Sequence, residues 1–198
     1  MFFRTLTCLP ALVGAWRDQG GGYARSVGVW SNDVMDHAAL TRPDLLAGRS
    51  PRELAMVHLG RVLTGDHDAL HDGPPVQAVV MISVNAMVSV PNTELVRQGL
   101  LRDDLFTVVH DQFLTDTARY ADIVLPATTF LEQRELHRGY GALVMQRIDP
   151  AAPVHGEGRP NEQVFAELAA RLGFRGPAFE PNAEAMAARY LKASRGLP

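Results

Sequence analysis

An α/β fold with a mostly parallel sheet flanked by helices is predicted by three features of the middle of the chain. The runs "QAVVMISV" (77–84), "LFTVVH" (105–110) and "DIVLPA" (122–127) are continuous apolar stretches of strand length. None shows polar alternation, which is the pattern of parallel strands covered on both faces. The segments between them carry helical signals and are long enough to cross back over the sheet. The order strand, helix, strand, short helix, strand is that of a Rossmann-like, three-layer domain.

Each element can be justified in turn. Residues 5–16 read as a short apolar helix, ended by Gly20, Gly21 and Gly22, which permit close backbone approach. Residues 27–48 mix polar residues, Gly and Pro without period and read as an irregular surface segment. In "SPRELAMVHLGRVLTG" (50–65), Ser50 is a candidate N-cap, Pro51 suits the first helical position and Glu53 completes a cap signal. Ala55, Met56, Leu59, Val62 and Leu63 then share one side at helical spacing.

After the first strand, "NTELVRQGLLR" (92–102) takes Asn92 as N-cap and places Leu95, Val96, Gly99 and Leu100 on one face. "TDTARYA" (115–121) reads as a short helix between the second and third strands. A further strand is expected over 142–148. Asn161 caps a helix with Phe165, Leu168, Ala169 and Leu172 inward and Gly173 as its stop, and a last helix spans 183–194. The organisation expected is a lead-in (1–25), the α/β domain (26–175) and a C-terminal helix (176–198).

Composition excludes several function classes. The chain has 198 residues, 46% apolar and 21% charged, which suits an ordinary globular core. A net charge of −3 with no dense Lys/Arg run gives no electrostatic reason to bind nucleic acid. No run of about eighteen apolar residues is present, so no membrane insertion is expected. The opening stretch lacks a small-x-small cleavage pattern, which makes the cytoplasm the default location. A single cysteine, Cys8, rules out an internal disulfide or a four-cysteine cluster within these residues. It falls in an apolar helix and is expected to be buried and inert. His67, Asp68 and His71 share a loop without metal-ligand spacing, so no metal site is expected.

The polar stretch 111–117 stands where one strand ends and the next is about to start. In open parallel sheets, ligands sit at the carboxyl ends of strands. Three such ends are Asn85, His110-Asp111-Gln112 and Pro126-Ala127-Thr128. An acidic residue there suits a donor-rich heterocycle edge or a ribose hydroxyl. Thr115 and Thr117 could offer hydroxyls to a phosphate; equally, Thr115 or Asp116 could cap the short helix and Asp122 a turn. Neither G-x-G-x-x-G nor a P-loop occurs, and no serine sits in a nucleophile elbow.

The stretch "DLFTVVHDQFLTDTARYADIVLPATTFLE" resembles the signature T-x-T-A-x-x-A-D-[IV]-V-L-P of the molybdopterin oxidoreductases of the dimethyl sulfoxide reductase type. "VVMISVNAMVSVPNTELVRQGL", "LPALVGAWRDQGGGY" and "GEGRPNEQVFAELAARLGF" are similar to flanking parts of that family, so the likeness runs over roughly residues 5–175. The resemblance implies the later α/β domain of a molybdenum-dependent oxidoreductase doing two-electron or oxygen-atom transfer. Such a domain holds the guanosine diphosphate part of one of two molybdopterin guanine dinucleotides. By position it implies cofactor contacts from Asn85, His110, Asp111, Gln112, Thr115 and Thr117. It implies no catalytic residue, metal ligand or iron–sulfur cluster in this chain, and as partners the remaining domains or subunits of a molybdoenzyme. The Gly20–Gly22 turn would approach the cofactor or a domain seam. Ala86 departs from the family, where Pro often follows the Asn. The alternatives are a non-catalytic nucleotide-binding module and an inactive truncated gene product.

Overall fold

The computed structural model describes residues 2–23, 35, 38, 41, 43–139, 144–176, 179 and 182–193. In chain order the elements are α1 (Phe2–Leu12), α2 (Leu59–Leu63), β1 (Ala78–Ile82), α3 (Ala86–Ser89), α4 (Thr93–Leu100), β2 (Phe106–Asp111), β3 (Ile123–Pro126), β4 (Glu135–Arg138), β5 (Met145–Ile148), α5 (Asn161–Arg171) and α6 (Ala183–Ala193). Short 3-10 turns occur at Ala15–Arg17, Pro43–Leu46, Met56–His58 and Ala118–Tyr120. Two units form: Arg42–Glu135 with Ile148–Met186, and Met1–Thr41 with Leu136–Arg147 and Ala187–Pro198.

In the first of these units the three apolar runs form the expected parallel sheet flanked by helices, in the order β1-β2-β3. Register is pinned from outside the ladder as well. The backbone N–H of Asp122 donates to the Thr107 carbonyl (2.9 Å), and the Asp122 carboxylate accepts the Thr107 N–H in return (2.6 Å). Met81 and Val109 turn into a core closed by Leu63 of α2, Ala86 of α3, Val96 and Leu100 of α4, and Ala118. The register puts Val80, Phe106 and Ile123 on the opposite face, where they are 54%, 49% and 44% exposed. Unbroken apolarity shows that neither face prefers water; it does not show that the described residues cover both.

α4 forms as expected, with the Asn92 side chain accepting the Leu95 N–H and Val96, Gly99 and Leu100 buried. It interlocks with α2 through two glycines. A Cβ added at Gly60 would stand 2.7 Å from the Leu95 Cβ, and one at Gly99 would stand 2.3 Å from the Leu63 Cβ. Only residues without a Cβ let the two backbones approach this closely.

Two expectations are corrected here. The helix expected over 50–65 is present only as Leu59–Leu63, preceded by the turn Met56–His58, and Ser50 caps nothing. The Arg52 guanidinium donates to the carbonyls of Leu70 and Pro74, both at 2.9 Å, which ties this segment to a distant loop and overrides the local cap signal. In α5 the buried residues are Val164 and Ala166, whereas Phe165, Leu168 and Leu172, expected inward, are exposed. Val164 and Leu168 line one hollow with Val124–Pro126, and Glu167 beside them binds Arg159 and accepts from Gln163.

The second unit holds α1 and most of β4 and β5, which form a two-stranded sheet. The glycine turn folds onto its own helix end: Gly20 and Gly22 have φ of 82° and 105°, and a Cβ on Gly21 would collide with the Ala15 carbonyl oxygen. Cys8 is exposed rather than buried, because Leu9, Leu12 and Val13 beside it also face outward. Most of the segment 27–48 and residues 142–143 of the expected strand lie outside the described residues.

Candidate functional site

The three parallel strands end at one edge, and the loops that leave them are stitched together by side chains. Thr117, which is fully buried, donates its hydroxyl hydrogen to Asn85 Oδ1 (2.8 Å) and accepts the Met87 backbone N–H (3.0 Å). Asn85 Oδ1 also receives the Thr117 N–H at 3.3 Å. This knot joins the loop after β1 to the loop after β2. The loop after β2 is joined in turn to the one after β3, since Gln112 Nε2 donates to the Thr128 carbonyl (3.1 Å).

Asp111 and His110 stand between these ties. Asp111 Oδ1 accepts the Phe113 N–H at 3.2 Å, and the second carboxylate oxygen has no partner among the described residues. His110 is 1% exposed, and its Nδ1 lies 3.1 Å from the Leu125 carbonyl oxygen. A carbonyl can only accept, so the bond places a hydrogen on Nδ1 and leaves Nε2 unused. That Nε2 is buried without a partner among the described residues. The Ala127 N–H donates to the Asp111 carbonyl (3.0 Å), the regular parallel-ladder bond that follows the Asp111–Pro126 pair.

The six residues expected at the site fall into two groups. Asn85 and Thr117 face each other, while Thr115 accepts the Ala118 N–H through Oγ1 (3.2 Å) and caps the 3-10 turn. Asp111, His110 and Gln112 keep acceptor or amide capacity at the strand ends. Asp122 is used for strand register, not for a turn cap.

Sequence reasoning missed Glu132. Its carboxylate accepts the Thr129 N–H (2.7 Å), the Thr129 hydroxyl (3.0 Å) and the His155 N–H (2.8 Å). These bonds, the Thr129 N–H first, hold the Glu132 carboxyl below the usual carboxylate range and shape the loop after β3. The signal was present as Thr129-x-x-Glu132, the spacing of a capping box used without a helix. His67 and Asp72 approach to 3.6 Å, both almost fully exposed, and no group able to hold a metal ion occurs among the described residues. No helix among the described residues is long and apolar enough to cross a membrane.

Comparison with known proteins bears on the whole chain. The family model described as molybdopterin oxidoreductase matches residues 1–171. The chain is 44% identical over 176 residues to a probable oxidoreductase, YoaE, of Bacillus subtilis (strain 168), covering 88% of this chain and 24% of that protein. It is 29% identical over 181 residues to a second probable oxidoreductase of that organism, YyaE, covering 89% of this chain and 26% of the relative. The assimilatory nitrate reductase catalytic subunit of the same organism is 32% identical over 106 residues, 54% of this chain and 14% of that subunit. The chain thus spans about a quarter of the length of the first two relatives. With the family model matched over most of its length, this chain belongs to the molybdopterin oxidoreductase family.

Proposed function

We propose that this chain is the part of a molybdenum-dependent oxidoreductase that holds the guanosine diphosphate portion of one molybdopterin guanine dinucleotide at the carboxyl ends of β1, β2 and β3. One observation carries the reading: the Asn85–Thr117 and Gln112–Thr128 bonds draw three strand-end loops into one rim. That rim presents acceptors. The free oxygen of Asp111 suits a base edge rich in N–H donors, as guanine is. When bound, the cofactor supplies the redox chemistry through its molybdenum. The chain's own residues bind and orient the nucleotide: Asp111 accepts from the base, Gln112 fixes the loop beside it, and the Asn85–Thr117 knot keeps the first two loops in register. The remaining segments of the enzyme, and with them the substrate pocket and metal ligand, are contributed from elsewhere.

Titration calorimetry of the 198-residue chain with GDP tests this. Saturable binding is expected, weakened about tenfold or more by Asp111→Ala, the loss of a charge-assisted hydrogen bond. Equal binding by wild type and Asp111→Ala would refute the assignment of the base site.

A further inference from the structure

We infer that Arg119, with the hydroxyls of Thr93 and Tyr120, forms the oxyanion seat for the diphosphate of this nucleotide, in place of the Thr117 that the sequence pattern suggested. The inference rests on the nucleotide-facing reading above and assigns a residue to one part of it. Thr117 cannot serve, since its hydroxyl is buried and spent on Asn85 and Met87. Thr115 Oγ1 accepts the Ala118 N–H and keeps its own hydroxyl hydrogen, which is a neutral donor only. Neither carries the positive charge that holds a diphosphate well.

Two residues beyond Thr117, a pocket of about 270 Å³ is lined by Met87, Thr93, Asp116, Arg119 and Tyr120. It therefore adjoins the same knot, since Met87 is the residue whose N–H Thr117 accepts. Arg119 is exposed, and its guanidinium has no hydrogen-bond or ion-pair partner among the described residues. Several other arginines of this unit are held by carboxylates, Arg61 by Asp66, Arg97 by Glu94, Arg102 by Asp104 and Arg134 by Asp149, while Arg52 donates to backbone carbonyls. Arg119 stays unpaired although Asp116 lines the same pocket. A guanidinium that presents its five donors to an open pocket matches a phosphate bidentately. The Thr93 hydroxyl, at the start of α4, donates to the Met87 carbonyl (3.1 Å), and because Thr93 is exposed, unlike Thr117, a phosphate oxygen can take that hydrogen in exchange. The opposing group is Asp116, whose carboxylate raises the cost of seating an anion beside it.

That opposition yields a test with two signs. The full chain is titrated with GDP, inorganic pyrophosphate and guanosine. Arg119→Gln is expected to weaken GDP and pyrophosphate about tenfold or more and to leave guanosine unchanged, while Asp116→Asn tightens both phosphate-bearing probes. GDP affinity equal in wild type and Arg119→Gln overturns the assignment of Arg119 and leaves the base site standing, which Asp111→Ala tests separately. Loss of guanosine along with GDP in Arg119→Gln also overturns it, because the arginine would then act on the fold. No heat from GDP with the wild-type chain removes the seat and the base site together.

Discussion

Replacing Thr117 by valine should separate the three-loop rim from the sheet that carries it. The substitution keeps the branched shape in a fully buried site and removes one hydroxyl. That hydroxyl makes two hydrogen bonds, to Asn85 Oδ1 at 2.8 Å and from Met87 N at 3.0 Å. Losing the bond to Asn85 removes about 1 kcal/mol net, and a Met87 N–H left without a partner in a half-buried place costs about 1–3 kcal/mol, so the expected loss is about 2–4 kcal/mol. Thr117→Ser is the control. It keeps both bonds and loses one methyl, about 1 kcal/mol. With a urea slope of about 2 kcal/mol per M, the valine variant should unfold about 1–2 M earlier than wild type and the serine variant about 0.5 M earlier. Hydrogen exchange at Met87 should accelerate in the valine variant alone. Equal midpoints for the two variants would refute the claim that the hydroxyl, and not its volume, holds the loops.

Two further outcomes follow from particular contacts. Gly99→Ala should lower stability by about 1–3 kcal/mol, despite alanine's better helix propensity, because the new Cβ meets the Leu63 Cβ and not the movable end of a side chain; a raised urea midpoint would contradict the interlock of α2 and α4. The Glu94 carboxyl is held down to about 2, first by the Arg97 side-chain hydrogen bond and then by Gln98. A folded-state value below the usual 4.5 means that its stabilising contribution is present above pH 4.5 and is lost as pH falls toward 2. Urea midpoints measured from pH 5 down to pH 2.5 should therefore fall less steeply in Glu94→Gln than in wild type, with the difference shrinking in high salt; parallel curves would count against it.

The sheet was legible because its evidence is local. Three apolar runs, a cap at Asn92 and the face Val96-Gly99-Leu100 all point the same way, and the observed elements agree with them within a residue or two. What failed depended on contacts distant in sequence. Ser50, Pro51 and Glu53 are a sound cap signal, but Arg52 reaches the carbonyls of Leu70 and Pro74 and keeps the segment out of a helix. The face of α5 was misread because spacing alone does not say which of its apolar residues meet the rest of the chain, and here Val164 and Ala166 are the buried ones. At the site, residue type could locate Thr117 at the rim but could not say which way its hydroxyl turns. A hydroxyl at such a place suits both a phosphate and a neighbouring loop, and only the folded chain brings Asn85 within reach. Arg119 went unnoticed for the opposite reason: a lone arginine in a short turn has no pattern, and its lack of a partner is visible only in three dimensions.

The glycine contacts between α2 and α4 have one more consequence. Backbones seated against each other at Gly60 and Gly99 leave neither helix room to slide along its axis, so Thr93, at the head of α4, is a stationary wall before any guest arrives. Whatever ordering accompanies occupancy of the neighbouring hollow then falls on a few freely turning side chains, with Arg119 foremost among them. Affinity there should consequently be tuned by single side-chain exchanges and hardly at all by rearrangement of the scaffold.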